Sequence, residues 1–224
     1  MAIILSIETS TTNCSVSLSR NGEPIIVKED YDKNYSHAER LHVYIKEILE
    51  EAKITSNQID AIAISKGPGS YTGLRIGVSA AKGLCFALNK PLISIPTLES
   101  LAHQVSNNKE GSIVSMLDAR RMEVYSAIFN TKFEQIRETK AEELHALSFH
   151  KYLEQGLVTF IGNGVEKTKE IITHQNAVFV EGKLPSAKEM CKLAFNKYKI
   201  SDFEDVAYFE PYYLKDFVAL KPKS

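Results

Sequence analysis

The 224-residue chain has no apolar run approaching the roughly 18 residues that a membrane-crossing helix needs. Its opening residues, Met1-Ala2-Ile3-Ile4-Leu5, meet Glu8 before a signal-peptide core can form, so a cytoplasmic location is expected and no membrane partner. Cysteine is scarce. Cys14, Cys85 and Cys191 stand far apart without CxxC spacing, which argues against a zinc knuckle and for reduced core thiols. Neither charge sign is in excess: 27 Lys and Arg balance 28 Asp and Glu, for a formal net charge of -1. With no Lys/Arg tract, any RNA role needs a local basic patch or a basic partner. Clustered metal ligands are also missing from the pattern. His37 and His42 are five apart and fall on different helix faces, and His103, His145, His150 and His174 are read as having no Asp or Glu at i+3 or i+4, so no metal site is expected.

What is present reads as an ordinary globular core, since 44% hydrophobic and 25% charged residues argue against disorder. The most informative stretch is Ser65-Lys66-Gly67-Pro68-Gly69-Ser70-Tyr71-Thr72-Gly73-Leu74-Arg75-Ile76-Gly77. A β-branched run at residues 59–64 precedes it, and residues 74–88, free of proline and acidic residues, follow it, giving strand, glycine-rich loop and helix. Such a loop can cradle phosphate on backbone N–H groups at a helix N-terminus. A Walker loop requires Lys and then Ser or Thr after its last glycine, whereas Gly73 is followed by Leu74 and Arg75, so a structural turn is the preferred reading.

In chain order, strands are expected at Ala2–Ile7, Cys14–Leu18 and Pro24–Val27, with Asn21-Gly22 as a hairpin turn. Ser36 and Glu39 form a capping box for a helix to Ala52. The strand at 60–64, the glycine loop, a helix to Leu88, a strand at Leu92–Ile95 and a helix from Thr97 to about Val105 complete a first unit, residues 1–109. The pattern restarts in residues 110–224: strands at Ile113–Leu117 and Glu123–Phe129, a charged helical stretch at Lys140–Glu154, a strand at Val158–Ile161, and a helix capped by Ser186 and Glu189 that ends near Tyr198. The fold class is therefore α/β, with two βββαβα-type halves.

These residues resemble the TsaB (YeaZ-like) family. The resemblance rests on Ile3-Ile4-Leu5-Ser6-Ile7-Glu8-Thr9-Ser10, Ser36-His37, Gly67 to Arg75, Ile95-Pro96-Thr97-Leu98, Asp118-Ala119-Arg120-Arg121-Met122-Glu123-Val124-Tyr125 and Pro211-Tyr212-Tyr213-Leu214. It covers the chain in order and is loosest at residues 131–183; Met122 stands where the family commonly has Gly. The resemblance implies the actin/sugar-kinase/Hsp70-like (ASKHA) fold and a non-catalytic subunit of the complex that makes N6-threonylcarbamoyladenosine at tRNA position 37. It implies a TsaD-like catalytic partner carrying the HxxxH metal motif that this family lacks, a TsaE-like ATPase in the complex, tRNA met indirectly through the complex, and a homodimer when alone. No cofactor of its own is implied, while ATP or ADP could sit at the partner interface. The alternative is a stand-alone ATPase or phosphotransferase of the same fold.

Three sets of residues are candidates for the site. Glu8, Thr9 and Ser10 occupy the first phosphate-loop position of this fold, where a polar hairpin is the competing reading. Asp118, Arg120 and Arg121, at the equivalent turn of the second half, could bind an anion or simply pair with charged neighbours. Gly162-Asn163-Gly164 could approach a base or form a strand-to-helix turn. For the partner interface, Gly73, Gly77 and Ala81 lie four apart along one helix edge. With Leu74, Val78 and Leu84, beside Leu41, Ile45 and Ile48 of the first helix, they would form an apolar patch for a four-helix contact. Close packing inside the domain is the competing explanation.

Overall fold

Asn21 and Gly22 both adopt positive φ, 52° and 88°, and so fold the chain back in the two-residue turn that suits the right-handed twist of paired strands. In the computed structural model, which describes residues 1–30, 37–106 and 110–215, this turn joins β2 (Cys14–Arg20) to β3 (Glu23–Asp30), and β2 also pairs with β1 (Ile3–Glu8). The chain continues through α1 (His37–Ala52), β4 (Ala61–Ser65), α2 (Tyr71–Leu88), β5 (Leu92–Ile95) and α3 (Thr97–Ala102). The second half repeats the order: β6 (Ser112–Asp118), β7 (Glu123–Asn130), β8 (Gln135–Glu143), α4 (His150–Leu153), β9 (Val158–Ile161), α5 (Val165–Lys169), β10 (Ala177–Val180) and α6 (Ala187–Lys199). The sheets run β3-β2-β1-β4-β5 and β8-β7-β6-β9-β10, each with an antiparallel meander followed by parallel strands. This is the ASKHA-type α/β architecture.

Each half sends its last helix to the other sheet. Leu98, Leu101 and Ala102 of α3 pack on Ile113, Leu117, Ala127 and Ile161 of the second sheet. Ala187, Met190 and Ala194 of α6 pack on Ile4, Ala61, Ala63, Ile93 and Ile95 of the first. Polar ties fix the second exchange: Ser17 Oγ donates to Ala187 O at 2.7 Å, and Asn13 Nδ2 donates to Pro185 O at 2.9 Å. The halves are thus interlocked around a cleft at the ends of β1 and β6.

Local expectations need four corrections. The charged segment expected as a helix from Lys140 to Glu154 is a strand as far as Glu143, and only His150–Leu153 are helical. Pairing with β7 decides this, because a strong helix former at an unpaired sheet edge gains a ladder of hydrogen bonds there. Helix α2 starts at Tyr71, capped by Ser70, whose side chain accepts from Gly73 N. Ser186 caps α6 by accepting from Lys188 N, without the reciprocal Glu189 pairing of a capping box. His150 and Glu154 are four apart after all, and the Glu154 carboxylate lies 3.7 Å from His150 Nε2 and 3.2 Å from His174 Nε2. Ser36, half of the first expected capping box, lies outside the described residues.

Candidate functional site

The β1–β2 turn, the loop before α2, the β6–β7 turn, Asn163 and a C-terminal strap enclose a cleft of about 460 Å³. Of the first candidate set, Ser10 reaches its wall, but Glu8 and Thr9 do not. Both are fully buried beneath the floor, which corrects their assignment to a ligand-contacting position. Glu8 Oε1 accepts from Ser10 N at 2.6 Å, and burial holds its carboxyl above the usual carboxylate range, against the opposing hydrogen bonds to Ser10 and Ser65. Thr9 Oγ1 donates to Gly73 O at 2.8 Å.

The glycines of the loop follow from this packing. A Cβ at Gly69 would stand 2.4 Å from Ser10 O, one at Gly73 2.1 Å from Thr9 O, and one at Gly77 2.2 Å from Thr9 Oγ1. Ser70 N meanwhile donates to Ser10 O at 2.6 Å. The loop is glycine-rich because it closes on the chain's own β1–β2 turn, where Ser70 N is spent, which favours the structural turn over the phosphate cradle.

Asp118 and Arg120 line the opposite wall. Lys167 of α5 donates to Asp118 Oδ1 at 2.6 Å, to Arg121 O at 2.9 Å and to Glu123 O at 2.5 Å, and Arg120 N also donates to Asp118 Oδ1. Asp118 therefore serves as the knot of its turn. Arg120 and Arg121 adopt left-handed φ of 71° and 49° and lie exposed. Gly162 is held by space, since a Cβ there would lie 1.9 Å from Met116 O, whereas Asn163 faces the cleft and its Oδ1 accepts from Asp118 N at 2.9 Å.

Sequence reasoning missed the strap. Glu204 N donates to Leu92 O, Lys82 Nζ donates to the carbonyls of Ala207 and Phe209, and Tyr212 N donates to Lys66 O at 2.7 Å. Tyr213 then packs on Tyr71 at 4.9 Å between ring centroids, Arg75 sits 4.3 Å over the Tyr71 ring and donates to Tyr213 Oη, and Lys215 pairs with Glu123 across the cleft. The only hint in the sequence was the Pro-Tyr-Tyr-Leu motif, whose contacts are more than a hundred residues away.

The expected interface needs a larger correction. Leu41, Ile45, Ile48, Leu74, Val78 and Ala81 are core residues at 0–7% exposure, and Gly77 is buried against Thr9 and Ile64. They face the first sheet, so the competing explanation holds for them. Only Leu84 of that set reaches the outside, where it joins Ala38, His42, Ile76, Ala80 and Gly83 in a shallow, mostly apolar groove between α1 and α2. A Cβ at Gly83 would meet nothing within 4 Å. No packing among the described residues accounts for that glycine, although it sits in a helix interior where it costs about 1 kcal/mol relative to Ala.

All three thiols are buried, and burial raises those of Cys14 and Cys85 to about 12. Among the described residues no group of three or more His, Cys, Asp or Glu side chains is placed to hold a metal ion, and no helix is long and apolar enough to cross a membrane.

The family model described as "TsaD: tRNA N6-adenosine threonylcarbamoyltransferase" matches residues 32–223. Two bacterial proteins named "tRNA threonylcarbamoyladenosine biosynthesis protein TsaB" are similar along nearly the whole length. The one from Haemophilus influenzae is 32% identical over 97% of this chain and 95% of its own, and the one from Escherichia coli is 31% identical over 97% and 96%. A solved Pseudomonas aeruginosa structure described as similar to peptidase YEAZ superposes with a TM-score of 0.85 at 25% identity, covering 96% of this chain and all of that one.

Proposed function

The chain belongs to the TsaB (YeaZ-like) family, and from that membership we propose that it supports a TsaD-type threonylcarbamoyltransferase without performing the transfer itself. A role in making N6-threonylcarbamoyladenosine in tRNA follows from its relatives' names. The partner-supporting reading is carried by the outer groove of α1 and α2, where Gly83 opens a helix to close approach and no described residue fills the space. A partner helix laid along Ile76, Ala80 and Leu84 would bury apolar area and contact the backbone at Gly83, the arrangement of a helix-pair interface.

The cleft supports the same reading. A stand-alone ATPase or phosphotransferase needs a carboxylate free to act on its ligand, while Asp118 is tied to Lys167 and Glu8 is sealed below the floor. In this proposal a TsaE-like ATPase and tRNA join through the complex, ATP or ADP binds where this chain meets its partner, and in the partner's absence the groove pairs with a second copy.

The test is the mass of the assembly formed with a TsaD-type partner, with and without ATP, for the wild type and Ala80→Glu. The substitution places a charge on a partly exposed helix position, so the fold survives, but it buries an unpaired carboxylate in the interface and should weaken association by at least tenfold, on the order of 2 kcal/mol or more. A folded Ala80→Glu protein with wild-type affinity would place the partner elsewhere. ATP turnover by the purified chain that disappears with Asp118→Ala would overturn the non-catalytic assignment.

A further inference from the structure

The cleft carries more aromatic surface than its lack of catalytic groups requires. Tyr71, Tyr125, Tyr212 and Tyr213 line it together with Arg120 and with Lys215, which pairs with Glu123, and the one carboxylate among its described lining residues, Asp118, is already neutralised by Lys167. We propose that this cleft binds a nucleotide of single-stranded RNA, with the base stacked on the tyrosines and its phosphodiester at Arg120. The inference rests on the tRNA-modification role above and assigns this chain a direct RNA contact.

Three observations favour this ligand over a nucleoside triphosphate. First, the deep end of the cleft is narrow: a Cβ at Gly69 would stand 2.4 Å from Ser10 O, and Ser70 N is spent on that same carbonyl, so this loop donor is not offered to a polyphosphate tail. Second, the cations at the rim are few, which suits a phosphodiester's single charge better than a triphosphate's. Third, the stacking surface is fixed in advance. The strap bond from Tyr212 N to Lys66 O fixes the backbone that carries Tyr212, a residue 44% exposed, and Arg75 braces the Tyr71–Tyr213 pair. Stacking on fixed rings accepts any base, because every base has a π-face. The volume of about 460 Å³ falls in the small-ligand range and admits one extruded nucleotide, not a duplex.

The full chain is titrated into a fluorescein-labelled, unstructured RNA octamer and followed by anisotropy at low salt. Arg120→Glu should weaken binding about tenfold and Tyr212→Ala about fivefold, with Tyr212→Phe close to wild type. Arg120→Ala should flatten the dependence of log affinity on log salt by about 0.7, the slope expected for one single-strand phosphate. Lys46→Glu, on exposed α1, should bind as wild type. Arg120→Glu and Tyr212→Ala proteins that bind the octamer normally, or Mg·ATP that displaces it at lower concentration than unlabelled octamer, overturn the proposal. Assembly with a TsaD-type partner is measured on the same variants. Intact assembly with no RNA effect defeats only this inference, and failed assembly of the wild type defeats the subunit role instead.

Discussion

Two glycines on one helix should respond to the same substitution with opposite signs. Gly77 and Gly83 both lie in the interior of α2, so Gly→Ala at either position gains about 1 kcal/mol of intrinsic helix propensity. At Gly77 the new Cβ would stand 2.2 Å from Thr9 Oγ1 and 3.1 Å from Ile64 Cδ1. The hydroxyl cannot swing away cheaply, because Thr9 is β-branched, buried and bonded through that oxygen to Gly73 O. Overpacking costs about 1–3 kcal/mol and the lost hydrogen bond about 1 kcal/mol, so the net effect is destabilisation by about 1–3 kcal/mol. For a chain of this size each kcal/mol moves the melting temperature by about 2–4 °C. Thermal unfolding followed by circular dichroism should therefore place Gly77→Ala several degrees below the wild type and Gly83→Ala a few degrees above. Scans at two protein concentrations separate any contribution from self-association. The reasoning fails if Gly77→Ala melts at or above the wild type, or if Gly83→Ala is destabilised at the lower concentration. Gly83→Ala should also weaken partner binding, since the methyl group occupies the groove.

Glu8→Gln keeps the acceptor for Ser10 N but cannot ionise. Because burial raises the folded-state pKa of Glu8 above its unfolded value, the wild type keeps this group's stability below the unfolded pKa and loses it as pH rises through the folded pKa. Urea denaturation should show the variant gaining on the wild type as pH rises above 4.5, and an unchanged difference would refute the assignment. Lys167→Ala releases Asp118 and two carbonyls of the β6–β7 turn, so amide exchange at Arg121 to Glu123 should quicken, with a global cost of about 1 kcal/mol; unaltered exchange would show that the turn holds itself. A disulfide reagent at pH 8 should leave Cys14, Cys85 and Cys191 unmodified in the native protein and label all three on unfolding, and rapid native labelling would contradict their burial. Ala81→Glu, by contrast, says nothing about partners: Ala81 is fully buried, and a carboxylate there should prevent folding.

The sequence alone determined the order of elements in the first half, because periodicity, the Asn21-Gly22 turn and the glycine-rich loop are local devices whose geometry depends on neighbours in the chain. It also carried the family resemblance and brought forward, as candidate ligand-binding residues, Ser10, Asp118 and Arg120, which the fold places around one cleft. Other features were decided between distant segments. Composition favoured a helix at Lys140–Glu143, but pairing with β7 made it a strand. The small residues of α2 at positions 73, 77 and 81 read as a contact edge for a partner, and only the position of Thr9, more than sixty residues earlier, turns that edge inward and leaves Gly83 facing out. Asp118 cannot be recognised as paired until α5 brings Lys167 to it, nor can Pro211 to Leu214 be read as a cleft wall until the strap is pinned at Lys66. Helical and strand periods name the face that is apolar; which neighbour covers that face depends on contacts across the whole chain, and here those contacts decided which surface remained for a partner.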